Sequence, residues 1–225
     1  LLGDGKKWGI DFEYAVQERP DGLAQAYILG EKFLNGSPST LILGDNIFYG
    51  PSLKEKLLKA KGEKGATIFA YRVKEPERYG VINFNKEGKV KDLEEKPKNP
   101  KSSYCVTGMY FFDKNACDYV KDLRPSDRGE LEITDLNKIY LEKGELSVEI
   151  LSRGYVWLDT GTHETLLEAQ EFVKTIENRQ GLRICCPEEI AYRNNWINEE
   201  HLIKISNKYY KSEYGKYLLG LVKDK

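Results

Sequence analysis

Strand and helix patterns alternate along the first seventy residues of this 225-residue chain, and this order constrains its fold most strongly. Residues 10–16 alternate apolar and polar side chains, residues 23–34 have helical spacing, and residues 40–43 are a continuous apolar run. A helical pattern at 52–61 and a strand pattern at 66–73 follow. Because strands separated by helices are joined by right-handed crossovers, the order predicts a parallel sheet, with the 40–43 strand buried on both faces.

The middle of the chain departs from this alternation. Residues 80–84 and 90–93 flank a Gly88 turn and predict an inserted β-hairpin. Further patterns predict a strand at 104–112, helices at 116–123 and 133–142, strands at 146–150 and 155–158, and a helix at 162–176. We therefore expect an α/β, Rossmann-like three-layer fold with a mainly parallel sheet, helices on both faces and the hairpin inserted. Its core spans residues 1–180, and a small carboxyl-terminal helical region spans 181–225.

Charge and composition exclude several classes of protein. The 35 basic and 36 acidic residues leave a net charge of -1, which argues against a nucleic acid polymer as partner. The longest apolar runs are far shorter than the roughly 18 residues of a membrane span, so we expect no membrane partner. Cysteines at 105, 117, 185 and 186 match neither a metal spacing nor a disulfide framework. They are expected to be reduced, buried thiols in a cytoplasmic protein.

Acidic residues follow two of the predicted strands. Asp45 comes after the apolar run that ends at Gly44, and Asp159 follows the 155–158 strand and precedes Gly161. Ligands of open parallel sheets bind beyond the carboxyl ends of strands, where a carboxylate pair can hold Mg²⁺ against phosphates. Alternatively, Asp45 starts a turn and Asp159 precedes a helix. Their shared position at one sheet edge favours a site.

Two charged segments are further candidates. Glu94-Glu95-Lys96 is of a kind that usually forms a solvated face, but it follows a strand and precedes the rigid Pro97. One carboxylate there could accept hydrogen bonds from sugar hydroxyls while Lys96 reaches a phosphate. Arg128 precedes a helix start at which Glu130 and Glu132 favour the helix dipole, and it could also serve an anionic ligand.

Several motifs occur together, in an order that resembles the sugar-nucleotide pyrophosphorylases (nucleotidyltransferases), and among them the thymidylyl enzymes most closely. The segments that carry the resemblance are 14–17, 20–26, 43–46, 76–81, 93–97, 106–108, 128–135, 157–162 and 177–182. The likeness extends almost from end to end.

The resemblance implies a Mg²⁺-dependent reaction in which glucose 1-phosphate attacks the α-phosphorus of dTTP, giving dTDP-glucose and pyrophosphate. It assigns Gln17 and Gly22 to the base, Asp45 and Asp159 to Mg²⁺ and the phosphates, Tyr79, Gly80, Glu95 and Val106 to the sugar, and Lys96 and Arg128 to the sugar phosphate. Under this assignment the catalytic residues are the four that hold charge on phosphate or metal: Asp45, Asp159, Lys96 and Arg128. Since both substrates are polyanions, positioning and charge neutralisation should supply most of the catalysis.

The segment 185–193 resembles the carboxyl-terminal helices of the thymidylyl enzymes. In that group these helices pack between subunits and help to form a second, regulatory nucleotide site. The resemblance therefore implies a homotetramer, inhibition by dTDP-rhamnose, and Glu189 and Ile190 as regulatory residues.

One family feature is absent from the sequence. Members begin with a strand and a glycine-rich loop, G-G-x-G-T-R-L-x-P, that cradles the triphosphate. The absent part should comprise about two strand–helix units, or roughly 60 residues. We expect the 225-residue chain to be inactive alone. Two alternatives stay open. A uridylyltransferase of the same fold would differ by the recognition of one methyl group, worth about 1–3 kcal/mol. A non-catalytic subunit would bind the sugar nucleotide without the loop.

Overall fold

The computed structural model of the protein describes residues 2–61 and 64–223. It divides into two compact units. The larger comprises Ala15–Ala169, and the smaller comprises the described residues of Leu1–Tyr14 and Gln170–Lys225. The core and helical region expected from the sequence, divided after residue 180, remain a prediction about domains.

The larger unit contains a mixed sheet with helices. Its elements in chain order are α1 (Gln25–Leu29), α2 (Glu31–Leu34), β1 (Ser39–Ile42), β2 (Asn46–Tyr49), α3 (Leu53–Lys61), β3 (Ala66–Arg72), β4 (Gly80–Phe84), β5 (Val90–Glu95), β6 (Tyr104–Phe112), α4 (Ala116–Lys121), α5 (Ile133–Glu142), β7 (Leu146–Leu151) and β8 (Val156–Asp159). The α/β class predicted from the sequence is confirmed, as are the hairpin β4–β5 and the long strand β6.

The sheet is mixed rather than mainly parallel. Its strand order is β5-β4-β6-β3-β7, with β1 also paired to β6, and β2 and β8 form a separate antiparallel pair. Of these described pairings, β3–β7 alone is parallel. Because β1 and β3 both pair antiparallel with β6, they still share one direction, as the crossovers require. Sequence order indicates this direction, but it does not reveal that β6 lies between them.

The core of the larger unit lies where the sheet meets α5. Ile133, Leu136 and Tyr140 recur at helical spacing on α5 and are all at most 5% exposed. They pack with residues of β6, including Tyr110 and Phe112. Burial of this apolar stripe explains why the helix keeps the limits that the sequence predicts.

The smaller unit is helical. Helix α6 (His163–Gln180) begins in the larger unit, and its residues from Gln170 onward belong to the smaller unit. Three further helices follow: α7 (Pro187–Arg193), α8 (Glu199–Lys208) and α9 (Glu213–Lys223). Residues of α7, α8 and α9 pack in a cluster with Trp8 that includes Leu202 and Leu218. Among the described residues after 180 no strand occurs, as expected.

Four local predictions are wrong. Residues 10–16 form no strand, because Ile10 and Phe12 instead pack on the cluster around Trp8, which satisfies the alternation without a ladder. The 23–34 helix is divided at Gly30 into α1 and α2. β1 is not buried on both faces, since Ile42 is 56% exposed. Cys185 is exposed, whereas Cys105 and Cys186 are buried.

No helix within residues 2–61 and 64–223 has the length and apolar character needed to cross a membrane.

Candidate functional site

The candidate site lies on one edge of β6, where two strands separate. β1 pairs with Met109–Phe112, whereas β4 pairs with the same edge at Cys105. The segment 106–108 lies between them and forms part of the wall of a cavity of about 180 Å³. The cavity therefore lies beside the stretch of β6 that is paired with neither β1 nor β4.

Most of the residues predicted from the sequence meet at this cavity. Those that line it are Asp45, Tyr79, Gly80, Glu95, Lys96, Val106 and Asp159. Arg128 is not part of the lining, but its Nη1 lies 3.6 Å from Oε1 of Glu95. Gln17 and Gly22 also lie outside the lining. Their neighbour Leu23 belongs to it, and Gln17 Nε2 donates to the Gly22 carbonyl at 3.2 Å.

Two carboxylates converge at the cavity. Asp45 follows β1 and Asp159 ends β8, and the Asp45 carbonyl accepts hydrogen bonds from the Thr160 amide (2.9 Å) and hydroxyl (2.8 Å). The position that a Cβ on Gly161 would occupy lies 3.0 Å from Asp159 Oδ1 and 3.5 Å from Asp45 Oδ2. Only a residue without a side chain leaves that space open between the two carboxylates.

This cradle fits a divalent cation. Within the described part of the chain, no group of three or more His, Cys, Asp or Glu side chains is arranged to hold a metal. Two carboxylates are nevertheless the donor set expected for Mg²⁺, which keeps several waters and takes its other ligands from substrate phosphates. Asp45 and Asp159 are thus the residues that would hold such an ion.

Asn46 connects the walls of the site, a role that sequence reasoning missed. Its Oδ1 accepts from Trp157 Nε1 (2.6 Å) and from the Gly108 amide (3.1 Å), and its Nδ2 donates to Asp45 Oδ1 at 2.8 Å. One side chain therefore fixes β6, β8 and the Asp45 carboxylate relative to one another. Its position directly after Asp45 is the signal that could have identified it.

An aromatic pair forms another wall. The rings of Tyr79 and Trp157 have centroids 5.0 Å apart at 59°. Burial is the main cause that raises the pKa of the Tyr79 hydroxyl. Arg78 lowers this pKa, and the nearby Asp159 carboxylate raises it. Tyr79 therefore stays neutral and can donate a hydrogen bond at physiological pH. Trp157 was missed as a site residue because an apolar strand residue is usually core.

Glu95 is a partly buried acceptor. Thr134, at the start of α5, donates its hydroxyl to Glu95 Oε2 at 2.5 Å, and a Cβ on Gly80 would lie 3.3 Å from the same oxygen. Burial is the main cause that raises the pKa of the Glu95 carboxyl; Glu132 raises it too, while Thr134, Lys96 and Arg128 lower it.

The two predicted phosphate-binding cations differ in their surroundings. Arg128 is paired with Glu95, Glu130 and Glu132. Lys96 lines the cavity, and its ammonium group has no ion pair with any residue that the structure describes. Arg78, the other cation of the lining, is paired with Glu75. Lys96 is therefore the lining cation most available to an incoming anion.

Glu189 and Ile190 lie on α7 in the smaller unit. Glu189 accepts from Arg193 Nε at 2.6 Å and from the Tyr217 hydroxyl. Arg193 and Tyr217 in turn line a cavity of about 520 Å³ in that unit, and Ile190 is 43% exposed. Glu189 thus contacts two residues of this cavity wall, and its predicted regulatory role stays a prediction.

One cavity of the mixed α/β sheet thus brings together a carboxylate pair, a polar acceptor and a lysine with no ion pair to any described residue. Such groups are typical of an enzyme that acts on phosphate esters. The model of the family described as nucleotidyl transferase matches residues 1–176, so the chain belongs to this family of enzymes. Its members generally use a divalent metal.

Curated relatives match the chain along almost its whole length. A glucose-1-phosphate thymidylyltransferase of Xanthomonas campestris pv. campestris (strain B100) is 56% identical over 224 residues, which are 99% of this chain and 76% of the relative. One from Mycobacterium tuberculosis (strain CDC 1551 / Oshkosh) is 49% identical over 222 residues, 99% of this chain and 77% of the relative.

Solved structures agree with the fold. A Bacillus anthracis chain described as a glucose-1-phosphate thymidylyltransferase, solved with sucrose, aligns with a TM-score of 0.67 at 43% identity, covering 76% of this chain and 68% of that one. A UDP-glucose pyrophosphorylase with UDP-glucose aligns with a TM-score of 0.61 at 23% identity, covering 73% and 66%. The second likeness concerns the fold alone.

Proposed function

We propose that this chain carries the catalytic core of a glucose-1-phosphate thymidylyltransferase, which forms dTDP-glucose and pyrophosphate from dTTP and glucose 1-phosphate. The observation that carries the proposal is the convergence of Asp45 and Asp159 at the cavity that Glu95 and Lys96 also line. The preference for thymidylyl over uridylyl transfer rests on the curated relatives, since the UDP-glucose enzyme shares only the fold.

The reaction requires two polyanions to approach in line. An oxygen of the sugar phosphate attacks the α-phosphorus of dTTP, the bond to the β-phosphate oxygen breaks, and pyrophosphate leaves with that electron pair. Asp45 and Asp159 would hold Mg²⁺, which would supply positive charge against the phosphates. No side chain needs to act as a covalent nucleophile, because positioning and charge neutralisation lower the barrier.

The other side chains orient the substrates. Lys96 binds the sugar phosphate, together with Arg128, whose Nη1 lies 3.6 Å from Glu95 Oε1. Glu95, held by Thr134, accepts hydrogen bonds from sugar hydroxyls, and Tyr79, Gly80 and Val106 bound the sugar pocket. Gln17 and Gly22 contact the base. They lie close in sequence to Leu23, which lines the cavity.

The raised pKa of Glu95 gives this function a pH dependence. Only the ionised carboxylate accepts from sugar hydroxyls on both oxygens, so kcat/KM for glucose 1-phosphate should fall with decreasing pH, with a midpoint above the ordinary glutamate value. Thr134→Val removes a donor that lowers this pKa and should move the midpoint to higher pH. Thr40→Val, an exposed threonine of β1, is the matched control. A midpoint that moves to lower pH in Thr134→Val would contradict the role of Glu95.

The raised pKa of Glu95 also makes the free energy of unfolding depend on pH. A carboxyl group with a raised pKa in the folded state binds protons more strongly there than in the unfolded chain. Its contribution to the free energy of unfolding is therefore greatest at low pH and decreases as pH rises through the raised pKa.

Pyrophosphate release tests the proposed function. It is measured with Mg²⁺, glucose 1-phosphate and each of dTTP, UTP, CTP, ATP and GTP. Two proteins are compared, the 225-residue chain and an extended chain that also carries the family's glycine-rich amino-terminal segment. We expect turnover in the extended chain only, fastest with dTTP. Fastest turnover with UTP would favour the uridylyltransferase, and binding of dTDP-glucose without turnover by either chain would favour the non-catalytic subunit.

The proposal extends to the assembly and regulation of the enzyme: a cytoplasmic homotetramer that is inhibited at a second, regulatory site. Glu189 and Ile190 are the regulatory residues of this proposal; Glu189 is hydrogen-bonded to Arg193, which lines the cavity of the smaller unit and suits an anionic nucleotide sugar. The same assay with dTDP-rhamnose added should give reduced turnover. Unchanged turnover at all dTDP-rhamnose concentrations would remove the regulatory part of the proposal and leave the catalytic part intact.

A further inference from the structure

A buried carboxylate next to the site has no role in the reaction described above. Glu132 occupies the position before α5 and is 6% exposed, yet its side chain does not cap the helix. The sequence predicted a contribution to the helix dipole there. Instead, Glu132 Oε1 accepts from the Ser126 hydroxyl at 2.8 Å and lies 3.4 Å from Arg128 Nη1. A buried carboxylate costs several kcal/mol unless it is paired and hydrogen-bonded, so these two partners are its main compensation.

Arg128 is held by carboxylates through both terminal nitrogens. Nη1 lies between Glu132 and Glu95, 3.4 Å from the first and 3.6 Å from the second. Nη2 donates to Glu130 Oε1 at 2.8 Å. Since Glu95 lines the cavity and Glu132 is buried, the guanidinium connects the cavity wall to a fixed point behind it.

The backbone around Arg128 is also connected to Glu132, through the side chain of Ser126. The Ser126 hydroxyl accepts from the Arg128 amide at 3.2 Å while it donates to Glu132. The turn is completed by hydrogen bonds from the Ser126 amide to the Glu130 carbonyl (2.9 Å) and from the Gly129 amide to the Ser126 carbonyl (2.8 Å). Both the main chain and the side chain of Arg128 are therefore anchored by Glu132.

We propose that Glu132 is a positioning residue, which fixes the Arg128 guanidinium against Glu95 and so shapes the sugar-phosphate end of the cavity. The proposal rests on the proposed function. A free arginine loses much of its side-chain rotamer entropy when it is ordered by a ligand. An arginine that is already held loses less, which strengthens anion binding without any added contact.

A double-mutant cycle tests this role. Glu132→Gln, Arg128→Met and the double variant are titrated with dTDP-glucose by calorimetry, and KM for glucose 1-phosphate and for dTTP is measured in the extended chain. Glu132→Gln should weaken dTDP-glucose binding roughly tenfold when Arg128 is present and less than twofold in the Arg128→Met background, because the role acts through the arginine. KM for glucose 1-phosphate should rise by a similar factor, while KM for dTTP stays within about twofold.

Two further variants keep the test decisive. Ser126→Ala retains the Glu132 charge and removes two hydrogen bonds, the one that Glu132 accepts and the one that the Arg128 amide donates. It should weaken binding about threefold, again only with Arg128 present, and serves if Glu132→Gln does not fold. Glu142→Gln, an exposed glutamate at the end of α5, is the control and should change nothing.

Three outcomes would overturn the proposal in distinguishable ways. Additive effects of Glu132→Gln and Arg128→Met, or equal rises in both KM values, would overturn the positioning role alone. Absence of thymidylyl transfer by the extended chain with Glu132 and Arg128 unchanged, when that chain binds dTDP-glucose and shows the expected coupling, would overturn the proposed function alone. Absence of dTDP-glucose binding by the same extended chain would overturn both.

Discussion

Asp159→Asn should lower kcat about 10²–10³-fold at saturating substrates and Mg²⁺, since a charged group that acts on the developing phosphate charge is worth roughly 3–4 kcal/mol. The substitution retains the shape of the side chain and the acceptor of the Gly161 amide, which lies 2.9 Å from Asp159 Oδ1. It removes the negative charge that, with Asp45, forms the cradle for the cation. Pyrophosphate release from dTTP and glucose 1-phosphate measures the effect, and a Mg²⁺ titration should show a raised requirement.

Asp118→Asn is the matched control for this prediction. Asp118 is an exposed residue of α4 that pairs with Lys121 and does not line the cavity. Its substitution should leave kcat and the Mg²⁺ requirement unchanged. If kcat of Asp159→Asn stayed within twofold of the parent value, Asp159 would have no part in the metal site.

Lys96→Met should raise KM for glucose 1-phosphate about 10–100-fold, because a hydrogen bond to a charged group contributes roughly 1.5–3 kcal/mol. Lys96 lines the cavity without a carboxylate partner among the described residues, so its charge is free to act on the phosphate. Its backbone is held by the amide hydrogen bond to the Tyr79 carbonyl at 3.1 Å, which methionine retains. Initial rates at varied glucose 1-phosphate and saturating dTTP give the value.

Lys98→Met separates this local effect from a general loss of positive charge. Lys98 follows Lys96 by two residues and is exposed, and it is not part of the cavity wall. Its KM for glucose 1-phosphate should stay within about twofold of the parent value. Equal rises in KM for the two lysine variants would show that long-range charge, and not a contact from Lys96, attracts the sugar phosphate.

The sequence predicts the elements whose periodicity is satisfied locally. β6 and α5 have the predicted limits because strong apolar patterns define each, and both pack in one core. Pairing between distant segments is not encoded in such patterns. For that reason the position of β6 between β1 and β3, and the separate pair β2–β8, were not predicted.

The same distinction applies to the candidate site. Asp45 and Asp159 could be found because each follows a strand, and the structure brings both to one cavity. The connecting role of Asn46 was missed, because its three hydrogen bonds join residues up to 111 positions apart and only its place directly after Asp45 marks it in the sequence. The carboxylates around Arg128 were likewise read as helix-start residues, since only the folded turn directs Glu132 towards the guanidinium.

The most direct test of the account is a crystal structure of the extended chain with dTDP-glucose and Mn²⁺, with anomalous scattering used to locate the metal. One anomalous peak is expected at the carboxylates of Asp45 and Asp159, which converge at the cavity. We also expect the glucose ring beside Val106 and Glu95, with the sugar phosphate on Lys96. A sugar nucleotide bound outside this cavity, or a metal peak without contact to either aspartate, would contradict the account.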